Sequence, residues 1–212
     1  FAHQIADAIP GSGCDNQRGG WYDMMERTLK EGEENHRLVW HDRKAWWQQE
    51  QGILAYYIMA GVYNDKPEYL NFAREGTAFY NGWFLDYEEG GIYFNVLANG
   101  QPYSLGTERG KGSHSMAGYH SFELCYLAAI YTNLLIKKQS MDFYFCPEPN
   151  GWEDNILRVA PDLLPKGSIE LSEVWIEGKS YKDFDKQKMH IFLPESEKSL
   201  KIRCRIAPVG LD

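Results

Sequence analysis

The chain has 212 residues, 43% of them hydrophobic and 25% charged, which is the composition of an ordinary globular protein. Its 22 basic and 30 acidic residues give a formal charge of −8, which argues against electrostatic binding to nucleic acid. No segment approaches the roughly 20 apolar residues that a membrane span needs. The four widely spaced cysteines contain no Cys-x-x-Cys pair, so we expect free thiols, a cytoplasmic location and no metal or other cofactor.

The first nine residues have the pattern of the last turns of a helix that ends at Pro10-Gly11. The chain begins at Phe1, without Met, inside this helical pattern. We therefore expect it to be the C-terminal part of a longer protein.

A short internal repeat follows. Gly19-Gly20-Trp21-Tyr22 recurs as Gly90-Gly91-Ile92-Tyr93, and each copy precedes a lysine and then a long helical pattern. The lysines are Lys44 and Lys111. This arrangement predicts a repeated unit with a short extended segment, an inner helix and an outer helix.

Three helices are predicted, at 44–63, 67–85 and 113–136. Pro67 suits the first turn of the second helix, where its missing N–H is harmless. The third helix is apolar nearly all round after Phe122, and so is much of the first helix, a pattern that is typical of buried helices. Helix pairs of this kind bury their apolar faces by stacking side by side, and a closed row of pairs forms a toroid.

After Lys137-Lys138 the pattern changes to short runs rich in β-forming residues. The predicted strands are 141–146, 156–160, 169–176, 189–193 and 200–206. Glu177-Gly178-Lys179 and the segment 195–199 resemble hairpin connections. The predicted fold is mainly α with a C-terminal β part: residues 1–138 form part of an (α/α)6 toroid, and residues 139–212 form a small antiparallel, sandwich-like β domain.

The start of the first long helix is unusually polar and aromatic. Two indoles, three glutamines and a glutamate at the start of a buried helix need partners, because each unsatisfied polar group costs about 1–3 kcal/mol. One interpretation is capping and packing at the rim of the fold. The other is a sugar pocket in which indoles stack on sugar rings and amides bind hydroxyls. The candidate binding residues are Lys44, Trp46, Trp47, Glu50 and Gln51.

A second candidate site lies at Tyr119-His120 in the next repeat. His120 and Glu123 are three residues apart on a predicted helix, so the carboxylate could orient the imidazole and raise its basicity for proton transfer. A structural histidine bonded to a neighbour would give the same pattern. His114 has no metal-ligand spacing with His120, so zinc is not expected.

The acidic loops 15–18 and 86–89 precede the two Gly-Gly segments. Their carboxylates could serve as the acids of a glycosidase. Turn capping explains them more simply, because aspartate side chains commonly accept hydrogen bonds from nearby backbone N–H groups.

Over residues 1–138 the sequence resembles the N-acylglucosamine 2-epimerase superfamily. The resemblance rests on the two Gly-Gly-aromatic segments, on Lys44-Ala45-Trp46-Trp47 and on Tyr119-His120. It implies a six-hairpin α/α toroid that epimerises or isomerises a small-molecule sugar by removing a proton next to the carbonyl, through an enediolate. Within it, His120 is implied to be a catalytic acid/base.

The resemblance also implies that the helix starting at Lys44 lines the sugar pocket. Gln51 stands where the family has a glutamate, unless Glu50 takes that place by a shift of one position. The family's other catalytic histidine would precede Phe1, so we expect this chain to be inactive alone and to self-associate or to associate with the missing N-terminal half. A glycoside hydrolase on the same toroid and a noncatalytic carbohydrate-binding or scaffold module are the alternatives.

Overall fold

The computed structural model describes residues 1–112, 116–149, 151, 154–159 and 165–210. Its contacts divide the chain into two compact units, Phe1–Ala128 and Ala129–Asp212. The predicted division after residue 138 lies ten residues further along the chain. Four α-helices and several antiparallel sheets in the described residues make this a mixed α and β protein.

The first unit begins with helix α1, Ala2–Ala8, which continues as a 3-10 turn, Ile9–Gly11. Helix α2 spans Trp46–Val62 and helix α3 spans Pro67–Trp83, and the two pack against each other. These elements confirm the helices predicted at 1–9, 44–63 and 67–85. Pro67 lies in the first turn of α3, as expected.

Two short strands precede and follow this helix pair. Strand β1, Arg43–Ala45, pairs antiparallel with strand β2, Asn95–Leu97. The helix predicted from residue 44 therefore begins two residues later, since Lys44 lies in β1 and its backbone pairs with that of Val96.

Helix α4 spans Tyr119–Tyr131 and continues as a π-helical turn, Thr132–Ile136. It is shorter than the predicted helix at 113–136: residues 113–115, with His114, lie outside the described residues, and Met116 and Ala117 are not helical. The prediction that this helix is a buried inner helix after Phe122 is wrong, since Cys125 and Tyr126 are exposed and burial begins only at Ile130. In its first turns Tyr119, Phe122 and Tyr126 are mostly exposed, whereas Leu124 and Leu127 are partly buried.

The second unit is built from seven strands in the described residues, which confirms the prediction of β structure after residue 140. In chain order they are β3 (Met141–Phe145), β4 (Ile156–Arg158), β5 (Ile169–Ile176), β6 (Lys179–Tyr181), β7 (Phe184–Asp185), β8 (His190–Phe192) and β9 (Ile202–Pro208). One sheet has the order β3-β9-β5-β6 and the other has the order β4-β8-β7. Ala160, at the end of the predicted strand 156–160, lies outside the described residues.

Alternating side chains of these strands form an apolar core. Leu157, Leu171, Val174, Ile191, Ile202 and Cys204 are among its buried members. On β9 the buried residues Ile202, Cys204 and Ile206 alternate with partly exposed ones, as the sequence pattern predicts for a strand with one buried face.

One of the two predicted hairpin connections is confirmed. Glu177 and Gly178 join β5 to β6 with φ of 49° and 77°, the left-handed backbone that a two-residue hairpin turn requires. The prediction of a hairpin at 195–199 is wrong, because that segment leads from β8 in one sheet to β9 in the other. Its turn-forming residues predict a change of direction, but they do not determine which strands pair.

Candidate active site

The first acidic loop is held by a buried ion pair. The Nζ of Lys44 lies 2.8 Å from Asp15 Oδ2 and donates to the carbonyl oxygen of Gly19 at 2.7 Å. Asp15 Oδ1 accepts the backbone N–H groups of Gln17 and Arg18 at 3.0 and 3.1 Å. Lys44 is fully buried. Burial opposes ionisation of Asp15, but the hydrogen bond and the charge of Lys44 outweigh it and lower the pKa of this carboxyl group.

The second acidic loop repeats this arrangement. Lys111 Nζ lies 2.5 Å from Asp86 Oδ2 and donates to the carbonyl oxygen of Gly90, while Asp86 Oδ1 accepts the N–H groups of Glu88 and Glu89. The hydrogen bond from Lys111, followed by the two backbone N–H groups, lowers the pKa of Asp86 from 3.8 to about 2.

Asp15 and Asp86 therefore cap the turns of their loops, which is the simpler of the two interpretations of the acidic loops. The same contacts change the interpretation of Lys44, which the sequence suggested as a sugar-binding residue. Its ammonium group donates to Asp15 and to the carbonyl oxygen of Gly19, so Lys44 has a structural role in joining the Gly-Gly segment to β1.

A cavity of about 360 Å³ opens beside the start of α2. It is lined by Asp23, Arg43, Ala45, Trp46, Trp47, Phe94, Asn95, Glu108 and His120. Two backbone hydrogen bonds of 2.9 Å join the chain segments that line the cavity. One runs from Asp23 N to Arg43 O, and the other runs from Trp46 N to Phe94 O. The pairing of β1 with β2 places Ala45 opposite Asn95. All of these residues belong to the first unit.

Aromatic rings surround the imidazole of His120. Its ring centroid is 3.9 Å from that of Tyr119, 5.3 Å from that of Trp46 in an edge-to-face arrangement, and 6.3 Å from that of Trp47 in a stacked one. Trp46 is buried and stacks on Phe94, whereas Trp47 and Tyr119 are exposed. The structure thus brings together His120 and three of the aromatic residues suggested by the sequence.

Gln51 connects the two predicted members of the proton-transfer pair. Its Nε2 lies 3.1 Å from His120 Nδ1 and donates to Glu123 Oε2 at 2.9 Å. The sequence suggested that Glu123 contacts the imidazole directly. The observed connection runs through the amide of Gln51, because that side chain reaches from α2 to both residues of α4.

Glu50 lies behind the cavity and is almost fully buried. Its Oε1 accepts the hydroxyl groups of Tyr80, at 2.5 Å, and Ser121, at 2.6 Å. Burial, together with the hydrogen bond to Glu50, raises the pKa of Tyr80. These contacts link α2, α3 and α4, so Glu50 joins the three helices and is not among the residues that line the cavity.

Sequence reasoning missed the charged residues of the cavity. Arg43 pairs with Asp23 at 2.5 Å and with Glu108 at 3.5 Å. One signal in the repeat could have found Asp23, because Asp23 and the cavity residue Phe94 each directly follow the Gly-Gly-x-Tyr segment of their copy. Arg43 and Glu108 lie in polar stretches that look like ordinary surface segments.

The described residues lack two further features. No group of three or more histidine, cysteine, aspartate or glutamate side chains in this part of the chain could hold a metal ion. Among the same residues, no helix is long and apolar enough to cross a membrane.

The known proteins that this chain is similar to are similar in structure. No family model and no curated protein matches the sequence. The structure is similar to cellobiose 2-epimerase from Bacillus thermoamylovorans B4167, with 22% identity and a TM-score of 0.44 over 59% of this chain and 28% of that chain. It is also similar to a sugar epimerase from a ruminal bacterium, with 18% identity and a TM-score of 0.45 over 61% and 30% of the two chains.

A third similar structure is the cellobiose 2-epimerase from Spirochaeta thermophila DSM 6192, with 16% identity and a TM-score of 0.34 over 65% of this chain and 36% of that chain. In all three cases this chain spans only about a third of the length of the other protein.

Proposed function

We propose that this chain is the C-terminal part of a sugar epimerase or isomerase in which His120 acts as an acid/base in proton transfer next to a sugar carbonyl. The observation that supports this most is the cavity beside α2, where His120 stands among the rings of Trp46, Trp47 and Tyr119. Its volume of about 360 Å³ falls in the usual range for small-molecule sites.

The residues of the cavity suit an uncharged, hydroxyl-rich ligand. The exposed ring of Trp47 offers a stacking face, and Asp23, Arg43 and Glu108 provide acceptors and donors for hydroxyl groups. A glycoside hydrolase would need two carboxyl groups facing each other across the sugar. Here Asp23 and Glu108 both contact Arg43, an arrangement that favours binding over acid catalysis.

We further propose that the helices of the first unit form part of an (α/α)6 toroid whose other helices precede Phe1. A second acid/base would lie in that preceding part, so the chain alone is expected to be inactive. The experiments on activity therefore use the full-length protein.

The test is deuterium incorporation from heavy water at the carbon next to the carbonyl of aldoses and N-acylhexosamines, followed by NMR. His120→Ala should slow this exchange about 10²–10⁴-fold, the usual contribution of a positioned acid or base. Trp47→Ala should mainly raise KM, because a stacking face holds the substrate and the transition state alike.

His36→Ala is the matched control, since His36 bonds to the carbonyl oxygen of Glu26 and does not line the cavity. Undiminished exchange in His120→Ala would remove His120 from the mechanism. No exchange with any sugar in the intact protein would favour a carbohydrate-binding module.

A further inference from the structure

The side-chain amide of Gln51 is placed to control the tautomer of His120, that is, which ring nitrogen carries the proton. An amide nitrogen carries two N–H donors and no acceptor. One N–H of Gln51 is directed to Glu123 Oε2 at 2.9 Å, and the same nitrogen lies 3.1 Å from His120 Nδ1.

The carboxylate of Glu123 fixes which way this amide points. If the amide were turned over, its oxygen would face a carboxylate oxygen, and two acceptors would meet without a hydrogen atom between them. The NH2 group must therefore face Glu123. Its second N–H is then directed to His120 Nδ1, which can accept it only if that ring nitrogen carries no proton.

We propose that Gln51 is a positioning residue that holds the neutral imidazole of His120 in the tautomer with its proton on Nε2. An imidazolium, or the tautomer with the proton on Nδ1, would place two N–H groups against each other at this contact. Among the hydrogen bonds of the described residues, the ring contact of His120 is at Nδ1, which leaves Nε2 to face a ligand. In this state Nε2 donates a hydrogen bond and accepts none.

The other groups around His120 do not compete for Nδ1. The charged residues of the cavity are Asp23, Arg43 and Glu108, and the two carboxylates pair with the guanidinium. The rings of Trp46, Trp47 and Tyr119 pack around the imidazole. Among the described residues, the side-chain hydrogen bond at Nδ1 comes from Gln51.

The consequence for chemistry rests on the proposed function. A neutral imidazole that donates from Nε2 is suited to the carbonyl oxygen of a sugar, where negative charge develops as an enediolate forms. His120 would then stabilise that oxygen by a hydrogen bond. In the proposed proton transfer it would be the acid, which donates to that oxygen, and another group would remove the proton from carbon.

The first test needs no substrate. Full-length protein labelled with 15N-histidine is studied by NMR at about pH 8.5, roughly two units above the ordinary histidine pKa. The His120 signals are assigned by their loss in His120→Asn. We expect the chemical shift of a proton-bearing nitrogen at Nε2 and of a bare nitrogen at Nδ1. A proton on Nδ1 would overturn the proposal.

Exchanging the two partners should reverse the tautomer. Gln51→Glu combined with Glu123→Gln keeps the net charge and places a carboxylate against Nδ1, so the proton should move from Nε2 to Nδ1. Gln51→Met removes the donor at similar size and should give shifts between the two extremes. An unchanged tautomer in both variants would show that Gln51 does not control it.

The catalytic consequence is measured separately. In the exchanged variant kcat for hydrogen exchange should fall about 10²–10³-fold, the usual effect of losing one donor to a developing oxyanion, with KM little changed. A full kcat together with a reversed tautomer would overturn the donor role. If the wild-type tautomer is as expected and no sugar exchanges, the proposed function fails while the role of Gln51 in positioning His120 stands.

Discussion

Lys44 and Lys111 occupy equivalent positions of the repeat and make the same contacts, but they differ in exposure. Lys44 is fully buried, whereas the side chain of Lys111 is 25% exposed. Removing one partner of a buried pair leaves the other charge without compensation in a medium that solvates it poorly. An exposed partner is solvated by water instead.

We therefore expect Lys44→Met to lower the free energy of unfolding by about 3–5 kcal/mol, the usual cost of breaking a buried ion pair. Lys111→Met is the matched control and should cause a clearly smaller loss. Urea denaturation followed by circular dichroism measures both. If Lys44→Met left stability unchanged and instead weakened sugar binding, Lys44 would be a binding residue, as the sequence first suggested.

At the scale of elements, the packing of α2 against α3 depends on two glycines that face Trp21. A Cβ atom at Gly76 would lie 2.6 Å from a ring carbon of Trp21, and one at Gly52 would lie 2.8 Å from the same ring. Trp21 is buried and also stacks on Tyr56. The indole of the Gly-Gly-Trp segment thus fills a space that only glycine leaves open on both helices.

Gly76→Ala should destabilise the protein by about 1–3 kcal/mol, because overpacking outweighs the gain in helix propensity of up to about 1 kcal/mol. Gly82 lies on the same helix with open space around its Cβ position, so Gly82→Ala should leave stability unchanged or slightly raised. The two melting temperatures, measured side by side, check this. A neutral Gly76→Ala would mean that Trp21 moves aside freely.

The sequence could predict the elements whose signals are local. The helices of the α2–α3 pair follow from apolar spacing and from Pro67, and the turn at Glu177-Gly178 follows from its residue types. The prediction of a hairpin at 195–199 was wrong, because strand pairing depends on the whole sheet and not on the turn.

The candidate site could be predicted only in part, for the same reason. The sequence indicates Trp47 and Gln51 because polar and aromatic residues are unusual at the start of a buried helix, and it indicates His120 because Glu123 lies three residues further along the same predicted helix. Arg43 and Glu108 are 65 positions apart in polar segments, and only the folded chain brings them to one cavity. The role of Gln51 likewise depends on distances of 2.9 and 3.1 Å to residues about 70 positions away.

At the scale of the whole molecule, α4 carries an exposed aromatic stripe. Tyr119, Phe122 and Tyr126 are spaced three and four residues apart, so they share one face of the helix, and all three are mostly exposed. Monomeric proteins rarely leave large contiguous apolar patches open to water. The stripe is therefore a candidate surface for association with a second copy of the chain.

We predict that the chain self-associates through this stripe, because burying aromatic surface against a second copy removes it from water at about 25 cal/mol for each Å². Phe122→Gln combined with Tyr126→Gln should shift the chain toward monomer in sedimentation velocity over a range of concentrations. A reducing agent is included so that the exposed Cys125 on the same helix does not form disulfides between copies. Tyr87→Gln is the matched control, since Tyr87 is also mostly exposed but lies between acidic residues in the loop after α3 and not on α4. A wild-type chain that stays monomeric, or a double variant that associates as strongly as wild type, would contradict the prediction, since in either case the stripe would not be the surface that binds.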